Sequence, residues 1–294
     1  MTRIFIKTHM KEGISFAQSL KIAPSDRTYE EFEKSMGGYD IKGLASVDDI
    51  LKKYYYGVEF GRLERVYGFI LACNLDKGGR TLSIGSGNAG IETKLIKDGY
   101  NIILSDIKKS DYIEHILKLT GKKEFIELDI TGDVGQLEHG FDAVMPINLI
   151  YLFNEIELQE FFTNVRRLLK DGGLLVLDSS NSAPNIFSVL FKEYIPFIEG
   201  YFRAIYSRFK GKRIWPQRQK HGYMHSDRDI IDSAKKAGFT LLKREDCCYE
   251  TDLIRSFTLE KLYKLFPSIL DIYRKAGKIM GIPHCRMFLF CSGE

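Results

Sequence analysis

The segment Leu82-Ser83-Ile84-Gly85-Ser86-Gly87-Asn88-Ala89-Gly90 constrains this chain more than any other stretch. An apolar run enters a glycine-rich turn, and a helix follows. Gly85 and Gly87 let backbone come close to a bound molecule where a Cβ would collide. A helix starting near Gly90 aims its free N–H groups at negative charge. A second apolar run, Asn101-Ile102-Ile103-Leu104-Ser105, ends in Asp106, 21 residues after Gly85. An acidic side chain at that distance accepts both hydroxyl protons of a ribose. The two features together describe a cradle for a ribose and an anionic group.

Two cofactors answer that description, a dinucleotide and S-adenosylmethionine. Gly85, Gly87 and Gly90 satisfy G-x-G-x-x-G, a weak signal when it stands alone. The residues that follow tilt the balance toward the methyl donor. Phe125-Ile126-Glu127-Leu128-Asp129 reads as a third strand with a carboxylate at its end, and Phe141 to Asn148 reads as a fourth. Val165 to Leu169 closes a helix, Lys170-Asp171-Gly172-Gly173 makes a tight turn, and Leu174 to Leu177 is a fifth strand. Strands alternating with helices predict a parallel sheet with helices on both faces, which binds ligands beyond its strands' carboxyl ends. Gly85, Asp106, Asp129 and Asn148 all fall at such ends.

On these residues the chain resembles class I S-adenosylmethionine-dependent methyltransferases, well over about residues 78–178 and loosely elsewhere. The resemblance implies an α/β fold: three layers around a Rossmann-like, seven-stranded, mostly parallel sheet with helical lid insertions. It implies S-adenosyl-L-methionine as cofactor. Gly85, Ser86 and Gly87 would line the methionine portion, Asp106 would hold the ribose, and Ile107 would pack on the adenine. Asp129 and Ile130 would meet the adenine edge, and Asn148 would sit below the methionine end. Tyr56 and Arg62 would form an N-terminal cover, with Arg62 pairing the donor carboxylate. Each residue also has a plainer reading. Asp129 can be a turn or N-cap carboxylate, Asn148 a loop residue, and Arg62 half of a helix-surface ion pair. The chain departs from the family pattern at Ser83, where an acidic residue is common, and at Ala89, where the third glycine usually stands.

At 294 residues, 44% of them hydrophobic and 13% aromatic, the chain can bury a sizeable core. It has no apolar run of 18 residues, which argues against a transmembrane helix, and its first residues lack the pattern of a secretory signal. The five cysteines, Cys73, Cys247, Cys248, Cys285 and Cys291, show no C-x-x-C pairing and no histidine at zinc spacing. They read as reduced, mostly buried thiols of a cytoplasmic protein, with no metal site. A redox role for adjacent Cys247 and Cys248 has no support nearby.

Four regions are expected. Residues 1–77 form a helical cover, in which a helix capped by Ser46 runs toward Asn74 with an interruption at Gly57 or Gly61. Residues 78–178 form the cofactor-binding core, and residues 179–226 a lid insertion. Residues 227–294 complete the sheet, with a helix at Asp227 to Ala237, a strand at Phe239 to Lys243, a helical insertion at about 250–283 and a terminal strand at Cys285 to Cys291. The resemblance implies that the terminal strand inserts antiparallel beside strands five and six.

Net charge is +4, and the basic excess lies in the second half: residues 1–150 carry 20 Lys/Arg against 22 Asp/Glu, and residues 151–294 carry 23 against 17. From Arg203 to Lys220 there are seven cationic residues and no acidic one, with Phe202, Tyr206, Phe209 and Trp215 interleaved. This stretch reads as a solvated lid face, as a clamp for an anionic substrate, or as a contact for nucleic acid or an acidic membrane surface. The mild overall charge disfavours a nucleic-acid partner. So does the lack of the motifs of base-methylating enzymes. Oligomeric state is left open.

Methyl transfer from a sulfonium is an in-line displacement and needs no metal. It asks for close positioning, exclusion of water and, for some acceptors, a base. His221 and His225, between the fifth strand and the next helix, are candidates for that base, and Tyr151 for orienting the acceptor. Loop capping and packing are the plainer roles for all three. The expected function is transfer of a methyl group to a small molecule or glycan, at oxygen. Two alternatives stand beside it. One is a nicotinamide-dependent oxidoreductase using the same glycine turn, which Glu155 argues against because it stands where a lysine four residues after Tyr151 would be needed. The other is a non-catalytic module that keeps the donor pocket.

Overall fold

The computed structural model describes residues 43–58, 61–135, 140–179, 225–251 and 268–293, with a few isolated positions besides. Residues 1–40 and most of the two insertions, including His221 and Trp215, lie outside the described residues.

Local capping chemistry sets where the helices begin. Helix α1 (Val47–Tyr54) starts at Ser46, whose hydroxyl accepts from the Asp49 N–H while Asp49 answers the Ser46 backbone. This reciprocal box satisfies two otherwise orphaned donors. Gly57 and Gly61, at φ +70° and +83°, then break the chain before helix α2 (Arg62–Ala72). The interruption expected at Gly57 or Gly61 thus occurs, with both glycines left-handed, because such backbone cannot continue a right-handed helix.

Seven strands follow with their helices: β1 (Thr81–Ile84), α3 (Gly90–Lys97), β2 (Ile102–Asp106), α4 (Asp111–Thr120), β3 (Phe125–Glu127), β4 (Phe141–Met145), α5 (Glu155–Leu168), β5 (Leu169–Ser179), α6 (Asp227–Lys236), β6 (Phe239–Cys247), α7 (Ile269–Met280) and β7 (Cys285–Ser292). The sheet order is β3-β2-β1-β4-β5-β7-β6. β1 to β5 run parallel, and β7 lies antiparallel between β5 and β6.

Two apolar clusters sandwich this sheet. One joins Ile50, Leu51, Val66, Ile70, Leu95 and Ile116 of α1 to α4, and the other joins Phe161, Phe162, Val165 and Ile230 of α5 and α6. No helix among the described residues is long and apolar enough to cross a membrane.

Several strand boundaries differ from expectation, among them β6, which runs to Cys247 instead of Lys243 along its antiparallel pairing with β7. β3 and β4 stop two and three residues early, at Glu127 and Met145, although buried Leu128 and Ile147 continue the apolar pattern. β5 starts at Leu169 instead of Leu174, and Lys170 to Gly173 bulge out between the pairs Phe141–Leu169 and Ala143–Leu174. The turn is thus set within a strand.

Candidate functional site

β1 feeds the glycine turn directly. Gly85 and Gly87 take φ +68° and +50°. At Gly85 a Cβ would come within 2.8 Å of Leu149 Cδ1, and at Gly90 within 2.2 Å of the Tyr54 carbonyl oxygen. Gly90 is thus demanded by backbone packing and Gly85 by its left-handed conformation, since the Leu149 side-chain end could give way. Ala89 also sits left-handed, at φ +46°. The turn is tied down from below: Ser86 N–H donates to Ser105 O at 2.9 Å, and Ser86 Oγ accepts from Ser105 N–H at 3.2 Å. The Ser86 side chain therefore faces the strands, and its role is to hold the turn.

Asp106 ends β2 beside this turn. Its Oδ2 accepts from Gly87 N–H at 3.0 Å and its Oδ1 from Ile107 N–H at 2.9 Å. Burial pushes its carboxyl above the usual range, against the pull of those two amides. Each oxygen keeps a lone pair for a further donor, as a ribose diol requires. Next to it Ile107 is 62% exposed at the rim, an apolar surface of the kind an adenine ring would cover. Both observations fit S-adenosylmethionine.

The other half of the rim is organised by a residue that strand reading passed over. Asp178, on β5, is fully buried. Its Oδ2 accepts from Arg62 at 2.7 Å and from the Cys285 thiol at 3.5 Å, and its Oδ1 accepts from Asn148 N–H. Asn148 is left-handed at φ +58°, a conformation asparagine tolerates, and Asp178 holds it there. Arg62 is 4% exposed. Its ion pair is buried, unlike the surface pair that a helix position suggested, and the carboxylate it meets belongs to the protein. An apolar strand ending in a carboxylate was the available signal for Asp178, one residue beyond the expected end of the strand.

A third carboxylate lies beneath the turn. Glu92, in the first turn of α3, is 4% exposed, and its Oε1 accepts from Ser83 Oγ at 2.7 Å. Burial, together with the negative charges of Asp106 and Asp178, pushes its carboxyl up to about 7. The departure at Ser83 is thus met by an acidic side chain arriving from the neighbouring helix.

The remaining candidates are placed as follows. Asp129 is exposed and caps a turn, its Oδ1 accepting from Thr131 N–H at 3.0 Å and Oγ1 at 2.7 Å. Ile130 is buried, and its carbonyl accepts from Asn164 at 2.8 Å. Tyr56 is 51% exposed, its ring edge-on to Tyr55. Tyr151 lies in the 3-10 turn Ile150–Leu152 that follows Asn148.

His225 is buried, with Nε2 2.9 Å from Phe153 O and 3.2 Å from Ile150 O. Two carbonyl neighbours make that nitrogen the protonated one, and burial lowers the ring's affinity for a second proton. In this setting the imidazole clamps the loop after β4, so no proton transfer is assigned to it. The described cysteines are free thiols, with Cys247 and Cys248 Sγ atoms 3.4 Å apart and buried.

Solved structures that share the fold include three methyltransferase-fold enzymes. Magnesium protoporphyrin IX methyltransferase from Synechocystis PCC 6803 is 13% identical, over 90% of this chain and 94% of its own, with TM-score 0.50. An S-adenosylmethionine-dependent methyltransferase from Clostridium acetobutylicum ATCC 824 is 14% identical, over 79% and 92%, with TM-score 0.50. The cyclopropane synthase MmaA2 from Mycobacterium tuberculosis is 13% identical, over 80% and 85%, with TM-score 0.50. Comparison with curated protein sequences gives no match. The family model for mycolic acid cyclopropane synthetase matches residues 63–260, a span that runs from α2 past β6 and takes in the glycine turn, Asp106 and Asp178. The chain belongs to the mycolic acid cyclopropane synthetase family, within the class I S-adenosylmethionine-dependent methyltransferase superfamily, and its cofactor is S-adenosylmethionine.

Proposed function

We propose that the protein transfers the methyl group of S-adenosylmethionine to an acceptor held over the carboxyl ends of β1, β4 and β5. The observation that carries this reading is the link from Asp106 to Gly87 at 3.0 Å, which fixes a ribose acceptor against the glycine turn. When bound, the cofactor supplies a methyl group made electrophilic by its sulfonium. In this reading Asp106 orients the ribose, Ile107 covers the adenine, and Asp129 and Ile130 border its edge. Gly85 to Gly87 and Asn148 flank the methionine end, with Tyr56 at the rim. The loop from Leu149 to Phe153, held by His225, excludes water on the acceptor side, and Tyr151 on that loop orients the acceptor.

The acceptor expected from sequence is a small molecule or glycan methylated at oxygen. A second reading, transfer to carbon of an unsaturated acyl chain, is favoured by a particular surface. Ile198, Tyr201, Phe202, Ile205, Tyr206 and Phe209 are all exposed, Phe209 by 86%, and the segment is helical at these positions. In the sequence their spacing of three and four is that of one helix face. Basic residues from Arg203 onward accompany them, a composition suited to an anionic amphiphile. The family's own name points to a lipid acceptor as well.

Titration with S-adenosylhomocysteine, NADH and NADPH tests the cofactor site: binding of a nicotinamide cofactor alone would sink the reading. Transfer of labelled methyl into polar metabolites or into unsaturated phospholipid then decides between the acceptors.

A further inference from the structure

Three carboxylates, Glu92, Asp106 and Asp178, lie close enough around the glycine turn for the charges of Asp106 and Asp178 to act on Glu92, and they differ in how the protein compensates them. Asp178 has the Arg62 guanidinium at 2.7 Å. Asp106 is only partly buried and takes two backbone N–H groups. Glu92 is 4% exposed and takes the Ser83 hydroxyl, with no cationic side chain in an ion pair to it among the described residues. A buried carboxylate without a countercharge is expensive to ionise. Such a group is retained at low cost where a ligand brings the missing charge.

The donor does bring it. S-adenosylmethionine carries a sulfonium, an ammonium and one carboxylate, a net charge of +1, whereas the surroundings of the glycine turn hold three carboxylates against one guanidinium. Glu92 stands two residues beyond Gly90, its carboxylate on Ser83. The Ser83 carbonyl in turn accepts from Ser105 Oγ at 2.8 Å and lies 3.4 Å from Ser86 Oγ. The carboxylate is thus tied to the strand that feeds the turn expected to line the methionine portion. We propose that Glu92 is the counter-ion of the donor's methionine ammonium, so that the protein receives the amino-acid end of the cofactor from the helix after the turn. This rests on the cofactor reading above and adds to it one residue with one chemical partner.

The charged groups facing Glu92 are Asp106 from β2 and Asp178 from β5, the latter paired to Arg62 from α2. Both carboxylates oppose its ionisation. A ligand ammonium favours it, so binding drives the proton off Glu92.

Two calorimetric measurements test the proposal. The first titrates wild-type protein at about pH 6.5 in two buffers of different ionisation enthalpy, where a group with a proton affinity near neutrality is still largely protonated. S-adenosylhomocysteine should release a proton; 5′-methylthioadenosine, which shares the ribose and adenine but lacks the amino acid, should release none. Equal release by the two ligands would overturn the assignment. The second compares Glu92→Gln with wild type. Affinity for S-adenosylmethionine and S-adenosylhomocysteine should fall about 10- to 100-fold, as expected for loss of a charged hydrogen bond, while 5′-methylthioadenosine binding stays unchanged. Retained 5′-methylthioadenosine binding also shows that the variant is folded. Unchanged affinity for S-adenosylhomocysteine, a loss confined to the sulfonium form, or a parallel loss for all three ligands would reject Glu92 as the ammonium partner. If wild-type protein bound neither S-adenosylhomocysteine nor 5′-methylthioadenosine, the cofactor reading itself would have failed.

Discussion

Asp106 and Asp178 both stand near the carboxyl ends of apolar strands on the same rim, yet their partners come from different distances along the chain. Asp106 is held by Gly87, 19 residues away, and by its own neighbour Ile107. Asp178 is held by Asn148, 30 residues away, by Cys285 at 107 and by Arg62 at 116. The first arrangement is a property of one strand–turn–helix unit, and backbone amides alone complete it. The second exists only when α2, β4, β5 and β7 are all in place. A ligand-holding carboxylate needs lone pairs to spare, whereas one that fixes the framework is consumed by it.

The contrast can be broken most forcefully at Asp178. Asp178→Ala leaves a buried guanidinium without its partner and should cost about 3–5 kcal/mol of stability in urea unfolding. A double replacement, Arg62→Met with Asp178→Leu, should recover most of that loss. If Asp178→Ala were as stable as wild type, the buried pair would not be the framework described above.

The next effect comes from pH. The Glu92 carboxyl is raised from 4.5 to about 7 in the folded protein, so the folded state holds more protons than the unfolded state across that window. Ligand-free protein should then lose stability as pH climbs from about 4.5 to about 7, by an amount of order 3 kcal/mol. Asp106, also raised, acts in the same direction. Thermal unfolding followed across this range should show a shallower slope in Glu92→Gln. An unchanged slope would remove Glu92 as its main source.

Asp106→Ala sharpens the comparison from the other side. It should weaken S-adenosylhomocysteine binding by about 1–3 kcal/mol and perturb stability much less than Asp178→Ala, both readable in one titration and one unfolding series. The smallest effect is expected at Ala89. Its left-handed φ of +46° is strained for a residue with a Cβ, so Ala89→Gly should stabilise the fold by about 0.5–1 kcal/mol. A lower melting temperature would show that Ala89 is not strained as its backbone implies.

The same contrast explains what the sequence reveals. The glycine turn, Asp106 and the strand–helix alternation are legible because each depends on local periodicity or on a turn of fixed chemistry, whereas the antiparallel place of the last strand is implied only by the family resemblance. Strand ends are less so: Leu128 and Ile147 are buried and apolar beyond the last strand residues Glu127 and Met145, since burial and strand assignment are separate demands. Glu92 looks like an ordinary first-turn acid of a helix, and only its contact with Ser83 distinguishes it. Arg62 is legible as a rim residue, but its partner is not. Nothing in the local pattern relates it to a carboxylate 116 positions later.

The placement of β7 has a consequence for assembly. β6 touches the sheet through β7 alone, so until residues 285–292 slot in, β5 and β6 both present open edges and Asp178 lacks the Cys285 thiol. During synthesis the cofactor half of the molecule can condense early, whereas the Asp178 node must wait for β7 to emerge. Removing those eight residues would leave two hungry strand edges, a hazard for aggregation.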